Sequence, residues 1–280
     1  MKNPKILYIL IGALCFLAII AGIYAQFFVK DEDKNNVIIP TGNQTPTEET
    51  GEKTQEEIKS QFISLFTNIL NTGNYDTSSI SKIDASKDIV YSAYDIIENN
   101  DNYEVNIHLP VINISGEVPV GFNNITQTVF ADKASEVLSN KGEKIIYQVN
   151  YVAYINGDIL SLAINSTLKE GSNPQRIMVQ TYNYNLATRE EIQLVDILSQ
   201  RNLVQSEVQN KITDTVTKAK EEAEILVQSG YSVYSRDLNS DIYKLENISN
   251  YLLGANGELY IIFAYGNQNH TSEMDIILYE

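Results

Sequence analysis

The stretch from Ile145 to Leu198 restricts the fold most, because it alone reads as three consecutive strands with their turns. Ile145 to Ile155 alternates in apolar character, and Asn156-Gly157 follows, the dipeptide that accepts positive φ at both centres of a type I′ hairpin turn. Asp158 to Leu168 runs back, Lys169 to Pro174 is a polar loop, and Gln175 to Leu186 returns, with Ile177 and Val179 facing away from Met178 and Tyr182. The pattern predicts an antiparallel meander.

Other segments supply what covers such a sheet. Gln55 to Leu70 places Ile58, Phe62, Leu65, Phe66, Ile69 and Leu70 on one helical face. Ile89 to Ile97 and Tyr103 to Ile114 read as strands, with Pro110 assigning the second to an edge or a bulge. A helix opening at Asn123-Asn124-Ile125 buries Ile125, Val129, Ala134, Val137 and Leu138, and stops at Asn140-Lys141-Gly142 with Gly142 as its C′ residue. Leu203 to Ser229 is the longest helix. Its apolar side runs through Val204, Val208, Ile212, Val216, Ala219, Ala223, Leu226 and Val227. Tyr243 to Leu253, Glu258 to Ala264 and Glu273 to Tyr279 complete the strands. The predicted class is α+β, an antiparallel sheet with amphipathic helices on one face. Expected divisions are 1–28 as anchor, 29–57 as tether, 58–142 as a small α+β domain and 143–280 as a second.

Ile6 to Phe28 is apolar over 23 residues with only Gln26 strongly polar. At 1.5 Å per residue such a helix crosses a bilayer core of about 30 Å. Lys2 and Lys5 before it, and Asp31, Glu32 and Asp33 after it, place the N-terminus in the cytoplasm and the remainder outside, as a single-pass protein of the cell membrane. A signal peptide cleaved after Ile23-Tyr24-Ala25 is the competing reading. Leu14 ahead of Cys15 argues against a lipoprotein. Lys30 to Glu57 is rich in Thr, Glu, Asn, Gly and Pro and too poor in large apolar residues to offset chain entropy, so it reads as a tether.

Beyond the apolar run the chain carries 18 basic and 36 acidic residues, a net of −18. That field repels nucleic acid and other polyanions and speeds encounter with cationic partners. Cys15 is the only cysteine, so no disulfide, thiolate nucleophile or zinc-thiolate site can form in the remainder. No H-E-x-x-H, G-x-S-x-G or phosphate-cradling glycine loop occurs, and neither metal motif of peptidoglycan deacetylases is present, so neither catalysis nor a cofactor is expected. Asp31-x-Asp33-x-Asn35 and Asp237-x-Asn239-x-Asp241 lack the glycine and the bidentate Glu of a calcium loop. His108, between Ile107 and Leu109, reads as a strand residue. One polar cluster remains, Tyr265 to Asp275, with Tyr265, Asn267, His270 and Glu273 as candidate binding residues. The alternative is a Gly-Asn turn that bonds its own backbone.

Tyr182-Asn183-Tyr184-Asn185-Leu186-Ala187-Thr188-Arg189-Glu190-Glu191-Ile192-Gln193-Leu194-Val195-Asp196-Ile197-Leu198 resembles the strand, turn, strand and "L-x-D-h-h" signature of the extracytoplasmic domain (DUF3298) of RsiV-type lysozyme-sensing anti-sigma factors, also found ahead of PdaC-type peptidoglycan deacetylases. Val105 to Gly116, with the helix that follows, resembles the small DUF4163 domain preceding it there. Arg189 stands where the turn usually has Gly. The resemblance implies an extracytoplasmic binding module without the sigma-binding or deacetylase part, and a cationic, lysozyme-like protein as ligand. A structural subunit of another membrane protein and a cell-wall hydrolase are the alternatives.

Overall fold

The computed structural model describes residues 53–280, and the expected membrane span, most of the tether and the Asp31 motif lie outside them. Among the described residues no helix is long and apolar enough to cross a membrane. The described chain begins at a helix, α1 (Gln55–Ser64), so the last expected tether residues belong to it. Thr54 and Glu57 form its capping box: the Thr54 hydroxyl accepts from the Glu57 N–H, and the Glu57 carboxylate accepts the Thr54 N–H at 2.8 Å. The helix ends earlier than its apolar spacing predicts. Asn68 turns at φ 62°, and Leu70–Asn71 leaves as a short strand, β1.

The meander forms as read. β4 (Ile145–Asn156), β5 (Ile159–Glu170) and β6 (Arg176–Asn185) pair antiparallel in sequence. The first turn lies one residue later than expected, because Asn156 opposes Ile159 and Gly157 alone takes positive φ, the pattern of a type II′ hairpin. β2 (Val90–Asn99) and β3 (Tyr103–Ile112) form a hairpin, and β3 then pairs parallel with β4 through Tyr103–Ile107. β1 also joins β4 in parallel, so the sheet is mixed rather than wholly antiparallel. Pro110 sits opposite a bulge at Ala93 and beyond the β3–β4 ladder, where its missing N–H costs no pairing. The order is β2-β3-β4-β5-β6-β7, with β7 only Glu190–Glu191.

A parallel β3–β4 pair needs a crossover, and the chain between them supplies it as α2 (Glu117–Thr126), a π-turn (Gln127–Ala131) and α3 (Asp132–Leu138). This segment starts six residues before the expected opening. The π-turn adds a residue to one turn and rotates the buried face, so Phe122, Phe130, Ala134 and Val137 are buried while Ile125 is exposed. Its end is also different, since Gly142 has no positive φ and the Asn140 side chain bonds the Asn102 and Glu143 carbonyls instead.

The C-terminal strands do not close this sheet. β8 (Tyr251–Leu253), β9 (Leu259–Ala264) and β10 (Met274–Tyr279) make a second, three-stranded one, in the order β10-β9-β8. Tyr243 to Ile248, expected in a strand, instead makes two short 3-10 turns. The two sheets pack face to face through Val152, Tyr154, Ala163 and Val179 on one side and Leu252, Tyr260, Ile262 and Ile276 on the other, with Ile58 and Phe62 of α1 in the same core. Crossover helices cover the far face of the large sheet. α4 (Leu194–Gln200) and α5 (Gln205–Gln228) cover the far face of the small one. Helices therefore lie on two outer faces, not one, because each sheet has a second apolar face to bury. The boundary expected after residue 142 falls inside the large sheet.

Asp196 of the L-x-D-h-h stretch caps α4, accepting the Gln193 N–H at 3.2 Å, while Leu194, Ile197 and Leu198 are buried. Arg189 adopts φ 64°, so a non-glycine residue holds the left-handed position of this turn.

Burial pushes the Tyr151, Tyr182, Tyr243 and Tyr260 phenols up to about 12 from 10.0. Because the folded values are the higher ones, this stabilisation is complete below pH 10 and is lost as pH rises toward 12. Spectrophotometric titration is expected to show these tyrosines ionising together with loss of near-ultraviolet circular dichroism. Smooth titration near pH 10 in a folded protein would contradict the burial.

Candidate functional site

The Tyr265–Asp275 region is drawn into the fold. The phenol of Tyr265 is buried and donates to Asp275 Oδ2, while Tyr243 donates to Tyr265 at 3.1 Å. Asn267 acts as a strand surrogate for β6: its Oδ1 accepts the Val179 N–H at 3.0 Å and its Nδ2 donates to the Val179 carbonyl at 2.7 Å. The Thr271 carbonyl takes the Ile177 N–H, and Asn250 takes that of Thr181. Together these groups close the β6 edge, which β7 covers only at Tyr184 and Asn185. Glu273 accepts the Tyr234 N–H and one guanidinium N–H from Arg236. Of the four expected binding residues, His270 alone is exposed. Tyr265, Asn267 and Glu273 bond inward, chiefly to other elements rather than to the backbone of their own turn.

Arg236, missed in the sequence, joins this cluster from the coil after α5. Its Nε and Nη2 grip Asp275 bidentately at 2.8 and 2.9 Å, and Nη1 reaches Glu273 at 3.0 Å and the Tyr234 carbonyl at 3.1 Å. Tyr234 stacks on Tyr265 with centroids 4.3 Å apart. Arg236 is 4% exposed and Asp275 not at all. Burial works against the guanidinium charge, but the bonds and charge of Asp275 outweigh it and hold its pKa above the usual value. Burial, then the Asp275 charge, push the Tyr265 phenol far up. Arg236, Glu273 and Asp275 are bonded to one another, so the cluster fastens the post-α5 coil to β10.

Ser92, Asp95 and His108 come closest to a catalytic constellation. Their order is wrong for one. Ser92 Oγ and His108 Nδ1 both bond Asp95 Oδ1, at 2.5 and 2.6 Å, so the carboxylate lies between hydroxyl and imidazole and no base addresses the hydroxyl. Burial pushes Asp95 up, but these bonds dominate and keep it below the usual carboxylate value. Among the described residues no group of three or more His, Cys, Asp or Glu could hold a metal. In the Asp237 motif, Asp237 accepts the Asn239 N–H and Asp241 pairs with Lys244 at 2.6 Å.

A groove of about 480 Å³ lies between the crossover helices and the bulged end of the β2–β3 hairpin. Ala93, Tyr94, Leu109, Pro110 and Val111 form one wall, and Asn123, Asn124, Gln127, Ala131 and Ser135 the other. Asn123 fixes the walls together, its Oδ1 accepting the Ile112 N–H and its Nδ2 donating to the Ile112 carbonyl, both at 2.9 Å. The β-bulge at Ala93 and the π-turn at Gln127–Ala131 thus flank one opening, and both are irregularities that re-aim side chains at binding sites. Neither showed in the sequence, although Pro110 marked where the strand had to be irregular.

No family model matches the chain, and no curated protein matches it. Among solved structures it is similar to two DUF3298 family proteins. For the one from Pseudomonas aeruginosa PAO1, identity is 14% and the TM-score 0.34, over 64% of this chain and 82% of that one. For the one from Bacteroides fragilis, identity is 11% and the TM-score 0.33, over 64% and 80%.

Proposed function

We propose that this protein is a non-catalytic binding module, held at the cell membrane by Ile6 to Phe28 with its folded part outside, and that its ligand is a cationic protein of the lysozyme-like kind. The observation behind this reading is the groove, an opening bounded by two backbone irregularities and lined by neutral polar and apolar groups. The buried charges of Arg236 and Asp275 are tied to each other and leave no charge free for a ligand there. The net charge of −16 favours a cationic partner.

The test is association of the detergent-solubilised full chain with a cationic lysozyme-type protein, followed by surface kinetics. The association rate is expected to fall steeply as the Debye length shrinks from about 10 Å at 0.1 M salt to about 3 Å at 1 M, and dissociation to change less. Ser135→Trp, which fills the groove, should abolish binding at an unchanged thermal midpoint. Asn267→Ala with His270→Ala should do the reverse, lowering the midpoint through the lost Val179 bonds and leaving binding intact. No binding by the unaltered chain at tens of micromolar would overturn the reading.

A further inference from the structure

The two edges of the large sheet are treated differently. The β6 edge is closed by Thr271, Asn267 and Asn250, whereas β2, at the other end, pairs with β3 alone among the described residues. Beyond the bulge, Tyr94–Asn99 is a regular six-residue edge whose outer backbone groups face solvent. It lacks the lysine or proline that commonly blunts such an edge. Ile97 is 76% exposed there, the highest exposure of any large apolar side chain among the described residues, and Tyr94 is 43% exposed at the lip of the groove.

We infer that β2 receives an extended, basic segment of a protein partner as an added strand, with the segment continuing past the bulge into the groove. This rests on the binding-module reading above and deepens it. Charge selects the occupant. Asp95 and Glu98 lie on this edge, flanked by Asp88 and Asp101. Asp95 bonds its neighbours through Oδ1 and Glu98 bonds Tyr103 through Oε1, which leaves Oδ2 and Oε2 for a ligand. A second copy fits poorly. Any antiparallel pairing of this edge with itself gathers two copies of Asp95 and two of Glu98, four carboxylates, on one short ladder. The chain's own residues 30–52 fit no better, with six acidic residues against two lysines.

The same geometry specifies the ligand pattern. Asp95 and Ile97 point to one face and Glu98 to the other. An antiparallel segment therefore needs a basic residue opposite Glu98, an apolar one opposite Ile97, any residue opposite Ile96 and a basic one opposite Asp95. That is the pattern Lys-Φ-x-Lys, where Φ is apolar.

The experiment titrates the detergent-solubilised full chain with a synthetic eight-residue peptide carrying Lys-Φ-x-Lys, and with its Glu-Φ-x-Glu counterpart. The basic peptide should bind and slow hydrogen exchange of amides within Tyr94–Asn99. Reversing both charges, Asp95→Lys with Glu98→Lys, should weaken the basic peptide by about tenfold or more and let the acidic one bind. Loss of the basic peptide without gain of the acidic one, protection appearing elsewhere, or dimerisation through β2 would overturn the strand-addition site. Binding of a whole cationic protein that survives both charge reversals would also overturn it while leaving the binding-module reading standing.

Discussion

Arg236→Ala is expected to cost about 3–5 kcal/mol of folding stability, the range for removing one partner of a buried ion pair. The mutation strips Asp275, which has no exposure, of two charge-assisted bonds and leaves its carboxylate in the core with only the Tyr265 hydroxyl. It also frees the coil after α5, held at Tyr234 by stacking on Tyr265 and by Glu273. Removing both charges should be far milder. Arg236→Met with Asp275→Asn keeps an acceptor for Tyr265 and leaves no unpaired ion, so it should recover more than half of the loss, a coupling on the order of 2 kcal/mol in a double-mutant cycle. Chemical denaturation measures each variant. A single-mutant cost under about 1 kcal/mol would show that the pair contributes little to the fold.

Gly266→Ala is the second severe lesion, expected at about 3–5 kcal/mol and a fall in midpoint of roughly 10 °C. A Cβ at this position would come within 3.0 Å of the carbonyl oxygen, carbonyl carbon and nitrogen of Ile177. These are backbone atoms of β6 and cannot step aside without breaking the sheet ladder. Gly266 needs no unusual φ, so the constraint is close approach alone: its carbonyl accepts from Arg176 Nε while the neighbouring Asn267 pairs with Val179. Gly254→Ala is the contrasting control. Its Cβ meets chiefly the end of the Glu258 side chain, which can swing away, and the cost should stay near about 1 kcal/mol. Equal midpoints for the two variants would mean that the 265–271 turn does not seat on β6.

Gly266 lies in, and Arg236 is bonded to, the region whose polar residues the sequence left open between ligand binding and a turn. Asn267 and Glu273 have the composition of a binding loop, and the same amide and carboxylate groups serve equally well to close a strand edge or hold an arginine. Which they do depends on partners at Val179 and Arg236, 88 and 37 residues away.

By itself the sequence determined the elements whose pattern is local: the β4-β5-β6 meander with its alternation, the β2–β3 hairpin with an irregularity at Pro110, the long helix with Val208, Ile212 and Val216 inward, and the α+β class. The order strand, helix, strand over Tyr103–Asn156 also carried the signal of the parallel β3–β4 pair, since such strands require a crossover. Only the tertiary structure decided that there are two sheets. Ser161, Thr181 and Asn183 read as solvent-facing polar residues of alternating strands, yet they are buried because they satisfy the β8 backbone: Ser161 accepts the Leu253 N–H, Thr181 the Tyr251 N–H, and Asn183 donates to the Tyr251 carbonyl. A hydroxyl or amide turned toward water and one turned toward a distant strand look alike in a one-dimensional pattern. The groove was hidden for the same reason, as its walls meet only after the crossover folds back on β3 and its π-turn shifts Ile125 out of the core.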